Sequence, residues 1–132
     1  MQRFLLVDNA AAVRLTLADQ LRVVCGANLE VQHAESGKEA LAACARQAFD
    51  AVFIGLGLAG GERGLPAVEA ILGAHPRLPL ILCTSMPREH PDVAAALSAG
   101  AVAYLPKPTR ADTVRKALEG VPSIAGHLRR IP

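Results

Sequence analysis

Five short strand-like segments, four apolar and one alternating, recur along the chain, and each is followed by a helix-like stretch. That alternation favours a parallel sheet, because a helix must carry the chain back before the next strand can run in the same direction. The first run, residues 3–7, is followed by Val13, Leu17, Leu21 and Val24, with polar Arg14, Asp19, Gln20 and Arg22 between them. Gly26 and Asn28 close this helix, and residues 29–33 alternate as a second strand. Ser36-Gly-Lys-Glu39 is a capping box that opens a second helix through about Arg46. A third strand over residues 51–54 runs into a glycine-rich loop from Gly55 to Gly64. Pro66 suits the first turn of a third helix ending near Gly73, and residues 80–84 read as the fourth strand. Pro91 opens a fourth helix over residues 92–99 with Gly100 as its C-terminal cap. Residues 101–105 read as the fifth strand, and Thr109 as the cap of a fifth helix ending near Glu119. Residues 121–132 carry no pattern, so the expectation is one α/β domain over 1–120 followed by a tail or the start of a linker.

Composition supports a sheet covered on both faces. Hydrophobic residues make up 52% of the 132 and aromatic residues only 3%, so Ala, Val, Leu and Ile must fill the core, as buried parallel strands require. The net charge of +2 is spread among interspersed acids and bases, which argues against direct nucleic-acid binding. The basic pair Arg129-Arg130 reads as part of a solvated tail. Cys25, Cys44 and Cys83 are odd in number and widely spaced, which suits neither a disulfide framework nor a metal site. Cys44 and Cys83 read as packed thiols, and a reducing cytoplasm fits. The N-terminus lacks the charged-then-apolar layout of a leader, and the longest uncharged run, residues 93–106, is too short to span a bilayer. A soluble protein with no membrane partner is expected.

In an open α/β sheet the functional crevice lies outside the carboxyl ends of the strands. The residues at those ends are Asp8, Asn9, Gly55, Thr84, Ser85 and Lys107. Three segments carry them: Phe4-Leu-Leu-Val-Asp8-Asn9, Asp50-Ala-Val-Phe-Ile-Gly55-Leu-Gly57, and Tyr104-Leu-Pro-Lys107-Pro108. Together they resemble the receiver domain of bacterial response regulators, over about residues 3–119. The resemblance implies a flavodoxin-like receiver fold with strand order 2-1-3-4-5. It also implies a pair of acids, a phosphoacceptor aspartate, a Thr or Ser, an aromatic switch residue and a Lys before Pro. Clustered carboxylates there hold Mg²⁺, the metal neutralises an incoming phosphoryl group, and the lysine completes the charge balance.

Asp8, Thr84, Tyr104 and Lys107 match that pattern, but Asn9 stands at the second acid and Gly55 at the acceptor. Glycine can neither attack phosphorus nor bind a metal through a side chain, and Gly57 offers only a neutral backbone carbonyl. The expectations are therefore no phosphorylation at the usual position, weak or absent Mg²⁺ binding, no catalytic residues and no enzyme activity. Asp8 is expected to pair with Lys107. Thr84 either satisfies nearby backbone while Tyr104 packs on the fourth helix, or the two belong to a switch face locked in one state or driven by a partner. His33, His75, His90 and His127 lie on a strand or in connections and read as surface or turn residues.

Gly55-Leu-Gly57-Leu-Ala-Gly60 is also a literal G-x-G-x-x-G after a strand. It lies on the third strand, Gly61 to Gly64 intervene before any helical pattern, and the next strand ends without an acid, so dinucleotide binding is disfavoured. Three functional readings remain. One is a protein-interaction module or constitutive regulator in two-component phosphorelay signalling, presenting the fourth helix, fifth strand and fifth helix to a partner or to a second copy. Another is the receiver portion of a longer regulator with a fused output domain. The third is a sensor of a small anion or nucleotide in the glycine-lined crevice.

Overall fold

The computed structural model describes residues 2–129, so Arg130 of the basic pair and Pro132 of the tail lie outside the described residues. Strands β1 (Gln2–Val7), β2 (Leu29–Ala34), β3 (Ala51–Ile54), β4 (Leu80–Thr84) and β5 (Ala103–Pro106) form one parallel sheet in the order β2-β1-β3-β4-β5. Successive strand residues point to opposite faces, and the central strands are buried and apolar on both from Phe4 to Val7, from Ala51 to Ile54 and from Leu80 to Cys83. Phe4 and Leu6 join one buried cluster while Leu5 and Val7 join the other. Helices α1 (Ala11–Cys25), α5 (Ala111–Glu119) and α6 (Pro122–Ala125) cover the first face, where the Phe4 and Phe53 rings meet edge-on at 6.0 Å. Helices α2 (Gly37–Arg46), α3 (Leu65–Ala74) and α4 (Pro91–Ala99) cover the second.

The structure departs from the sequence reading at three places. The fifth strand begins at Ala103 rather than at residue 101, because Ala101 N–H is used to close the end of α4 on Ala96 O. The N-cap of α5 is Arg110 rather than Thr109. Thr113 Oγ1 reaches back to accept from Arg110 N–H (3.1 Å), while Thr109 O is taken by the Gln20 side-chain amide (2.7 Å). The segment after Glu119 is not patternless: Val121 and Ile124 are buried beside α1 and α5, and α6 forms one turn between them. Beyond it, Arg129 N–H donates to Val24 O (2.7 Å) and the Arg115 guanidinium donates to Arg129 O.

Gly64 sets how closely α3 approaches the end of β3. A Cβ at this position would stand 2.7 Å from Leu56 Cα and run into the carbonyl of Gly55. The backbone at Gly64 is ordinary right-handed helix, so the cost of a side chain is steric only. Gly64→Ala is expected to destabilise the domain by about 2 kcal/mol, the usual scale of overpacking, as read by urea unfolding. An unchanged midpoint would mean that α3 can move away freely.

Candidate functional site

Parallel strands all present their carboxyl ends to one edge, and the turns after β1, β3, β4 and β5 bring the matching residues together there. The register pins the turns: Gly55 N–H donates to Val7 O (2.9 Å), Asp8 N–H to Ala34 O (3.1 Å) and Lys107 N–H to Thr84 O (3.0 Å). Asp8 is 3% exposed. Its Oδ1 accepts from Ala10 N–H (3.0 Å), a local turn bond that fixes the chain as it enters α1. Its Oδ2 lies 2.5 Å from Lys107 Nζ. The buried Arg14 guanidinium donates through Nη1 to the Asp8 carbonyl (2.5 Å), so both the backbone and the carboxylate of this residue are held.

Gly55 is buried at the end of β3. A Cβ built there would meet Asp8 Oδ2 at 2.9 Å and the Cys83 carbonyl at 3.5 Å. The Asp8 carboxylate therefore occupies the volume into which a side chain at position 55 would extend. Asn9 is exposed, and Gly57 faces open space. The Asp8 carboxylate is thus already engaged by an ammonium and a backbone amide.

Thr84 and Tyr104 both act on Met86, in the β4–α4 connection. Thr84 Oγ1 accepts from Met86 N–H (3.1 Å), and Tyr104 Oη donates to Met86 O (2.6 Å). The Arg88 guanidinium lies 5.0 Å over the Tyr104 ring, a cation–π contact that adds to the hold on this half-buried side chain. Thr84 thus turns its hydroxyl to its own loop. Cys83 lies beneath the site, and burial pushes its thiol up to about 11, with Lys107 lowering and Asp8 raising it to smaller extents. It is a packed thiol at neutral pH and no nucleophile.

The glycine loop does not form a phosphate cradle. After Gly55 the chain makes a small excursion closed by a bridge between Gly57 and Arg63, with Leu58 buried beneath it. Gly60 and Gly61 take positive φ at its tip, and Glu62 returns to accept from Gly37 N–H (3.0 Å) at the start of α2. Helix α3 begins only at Leu65, after this excursion, so the strand does not turn directly into a helix as a dinucleotide-binding loop does. Arg14, read from the sequence as one of the polar residues of the first helix, is the residue of this region whose burial that reading missed. Its spacing of three and seven from Leu17 and Leu21 places it on the buried stripe.

A family model described as the response regulator receiver domain matches residues 4–119. No curated protein matches the chain. The chemotaxis protein CheY4 of Vibrio cholerae is 25% identical, with a TM-score of 0.79 over 92% of this chain and 98% of that one. The signal receiver domain of an HD domain-containing protein from Pseudomonas fluorescens Pf-5 is 25% identical, with a TM-score of 0.75 over 89% and 94%. NtrX from Brucella abortus, solved in complex with ADP, is 26% identical with a TM-score of 0.79, and the match covers 95% of this chain but 28% of NtrX.

Proposed function

The chain belongs to the response regulator receiver domain family, and from that premise we propose that it is a receiver that takes no phosphoryl group at the usual position and acts as a constitutive protein-interaction module. The observation that carries this reading is the Asp8 carboxylate lying 2.9 Å from where a Gly55 Cβ would be, paired with Lys107. The residue type that would accept phosphate is missing, and its space and its lysine are taken by another side chain. Mg²⁺ does not fit this donor set. A single carboxylate already neutralised by Lys107 makes a weak site for an ion that needs several oxygen ligands.

The state of the switch residues supports the second half of the reading. Thr84 and Tyr104 are both engaged by the backbone of Met86, one at its N–H and the other at its carbonyl. A bistable element responds only to a ligand that distinguishes its two states, and the usual ligand has no acceptor here. The face of α4, β5 and α5 is then presented in one arrangement. It carries a groove of about 460 Å³ lined by Arg88, Ala103, Tyr104, Thr113, Lys116 and Ala117, where a protein partner, a fused output domain or a second copy would dock. Against a small-anion sensor stands Lys107, the cation such a ligand would need, which is already bound to Asp8. Among the described residues no helix is long and apolar enough to cross a membrane.

Addition of Mg²⁺ with beryllofluoride, which mimics an acyl phosphate on aspartate, is expected to leave the amide NMR signals of Thr84, Tyr104 and Lys107 in place. Movement of those three signals would show that the crevice still accepts a phosphoryl-like ligand and would overturn the proposal.

A further inference from the structure

We propose that His33 and Arg14 form a protonation-sensitive latch on the carboxyl end of β1, which holds Asp8 firmly while His33 is neutral and loosens it when His33 is protonated. Arg14 is 7% exposed and spreads its guanidinium over three partners. Nη1 donates to the Asp8 carbonyl (2.5 Å), Nε donates to His33 Nδ1 (3.2 Å), and Nη2 lies 3.7 Å from Glu35 Oε1. Guanidinium has donors and no acceptor, so His33 Nδ1 must present its lone pair and the neutral ring must carry its proton on Nε2. Imidazolium carries protons on both nitrogens. Protonation therefore deletes the Arg14–His33 bond and sets two cations against each other.

His33 is exposed on β2, the edge strand, so a proton reaches it directly from water. The charged groups around it are Arg14 and Arg22 from α1, with Glu35 just beyond β2 already paired to Arg14, while β1 opposite contributes uncharged Leu6. Although His33 is exposed overall, the part of its ring turned toward Arg14 is desolvated, and this desolvation first, then the charges of Arg14 and Arg22, lowers its pKa from the ordinary value. The folded state thus holds its proton less tightly than the unfolded chain. The stabilisation contributed by the neutral form is complete above about pH 6.5 and is lost as pH falls through the lowered folded value. The structural consequence is local: the guanidinium is released toward Glu35, and the Asp8 carbonyl loses a buried donor beside the Lys107 pair. Neither step involves phosphate, so the latch stands independently of the functional reading above.

The test is an NMR titration of wild-type protein and His33→Gln between pH 8 and pH 5, following imidazole nitrogens, Arg14 Nε and the Asp8 amide. Glutamine can accept from Arg14 through its amide oxygen but does not titrate, and at this exposed position it should fold like wild type. The expected result is the Nε2–H tautomer at pH 8, a His33 midpoint below about 6.5, and Arg14 and Asp8 signals that move with that midpoint in wild type only. An Nδ1–H tautomer, Arg14 and Asp8 signals that ignore the His33 titration, or the same step in His33→Gln would each overturn the latch. The tautomer assignment needs no variant, so it decides the matter even if His33→Gln is poorly behaved.

Discussion

Lys107→Ala is expected to lower the unfolding free energy by about 3 kcal/mol, because it strands a carboxylate in a site with almost no access to water. The Asp8 side chain is 5% exposed and the Lys107 side chain 23%, and this asymmetry orders the single variants. Without Asp8, the lysine can extend to solvent and recover hydration. Without Lys107, the carboxylate retains only the Ala10 N–H. Asp8→Ala should therefore cost less, about 1–2 kcal/mol, from the lost bond to Ala10 N–H and the lost partner of Lys107. The double variant should resemble Asp8→Ala more than the sum, since removing the second partner no longer strands a charge. Urea unfolding of the four proteins measures all of this. If both single variants unfold at the wild-type midpoint, the pair does not hold the crevice together.

Ile124→Ala is expected to cost about 3 kcal/mol, the scale for truncating a fully buried aliphatic side chain. Ile124 has 0% exposure and shares its cluster with Leu21, Val24, Leu118 and Val121, so the segment after α5 completes one face of the core. The neighbouring Ser123 is exposed, and Ser123→Ala serves as the control with little expected change. Equal unfolding midpoints for Ile124→Ala and wild type would mean that α6 lies loosely on the domain rather than within it.

The order of strands and helices was legible because each strand is a short apolar run or, over residues 29–33, an alternating one, and each helix has helical spacing with a recognisable start or stop. Ser36 caps α2 by accepting from Glu39 N–H (3.1 Å), and Gly26 and Gly100 take the positive φ that ends α1 and α4. The features that escaped the sequence depended on competition between groups distant in the chain. Ala101 looked like strand but was drawn to the end of α4, and Thr109 looked like a cap but gave its carbonyl to Gln20. Val121, Ile124 and Leu128 do have helical spacing, although Pro122 and Gly126 among them read as breakers. At the site, residue types alone put Asn9 and Gly55 at the strand ends. They could not reveal that Asp8 fills the gap beside Gly55, because that is a matter of a few ångströms between β1 and β3. Nor could they show Arg14 beneath Asp8, since an arginine among apolar helix positions ordinarily extends its charge to water.

The most direct test of the central claim is intact mass after incubation with Mg²⁺ and acetyl phosphate, for wild type and for Asn9→Asp/Gly55→Asp. The double variant restores three carboxylates at the strand ends and, by crowding Asp8 Oδ2, pushes Asp8 away from Lys107 and toward a metal. The expected result is an unmodified wild type beside a double variant that gains the mass of a phosphoryl group. A wild-type mass gain, mapped to any side chain of the crevice around Asp8, Thr84 and Lys107, would contradict it.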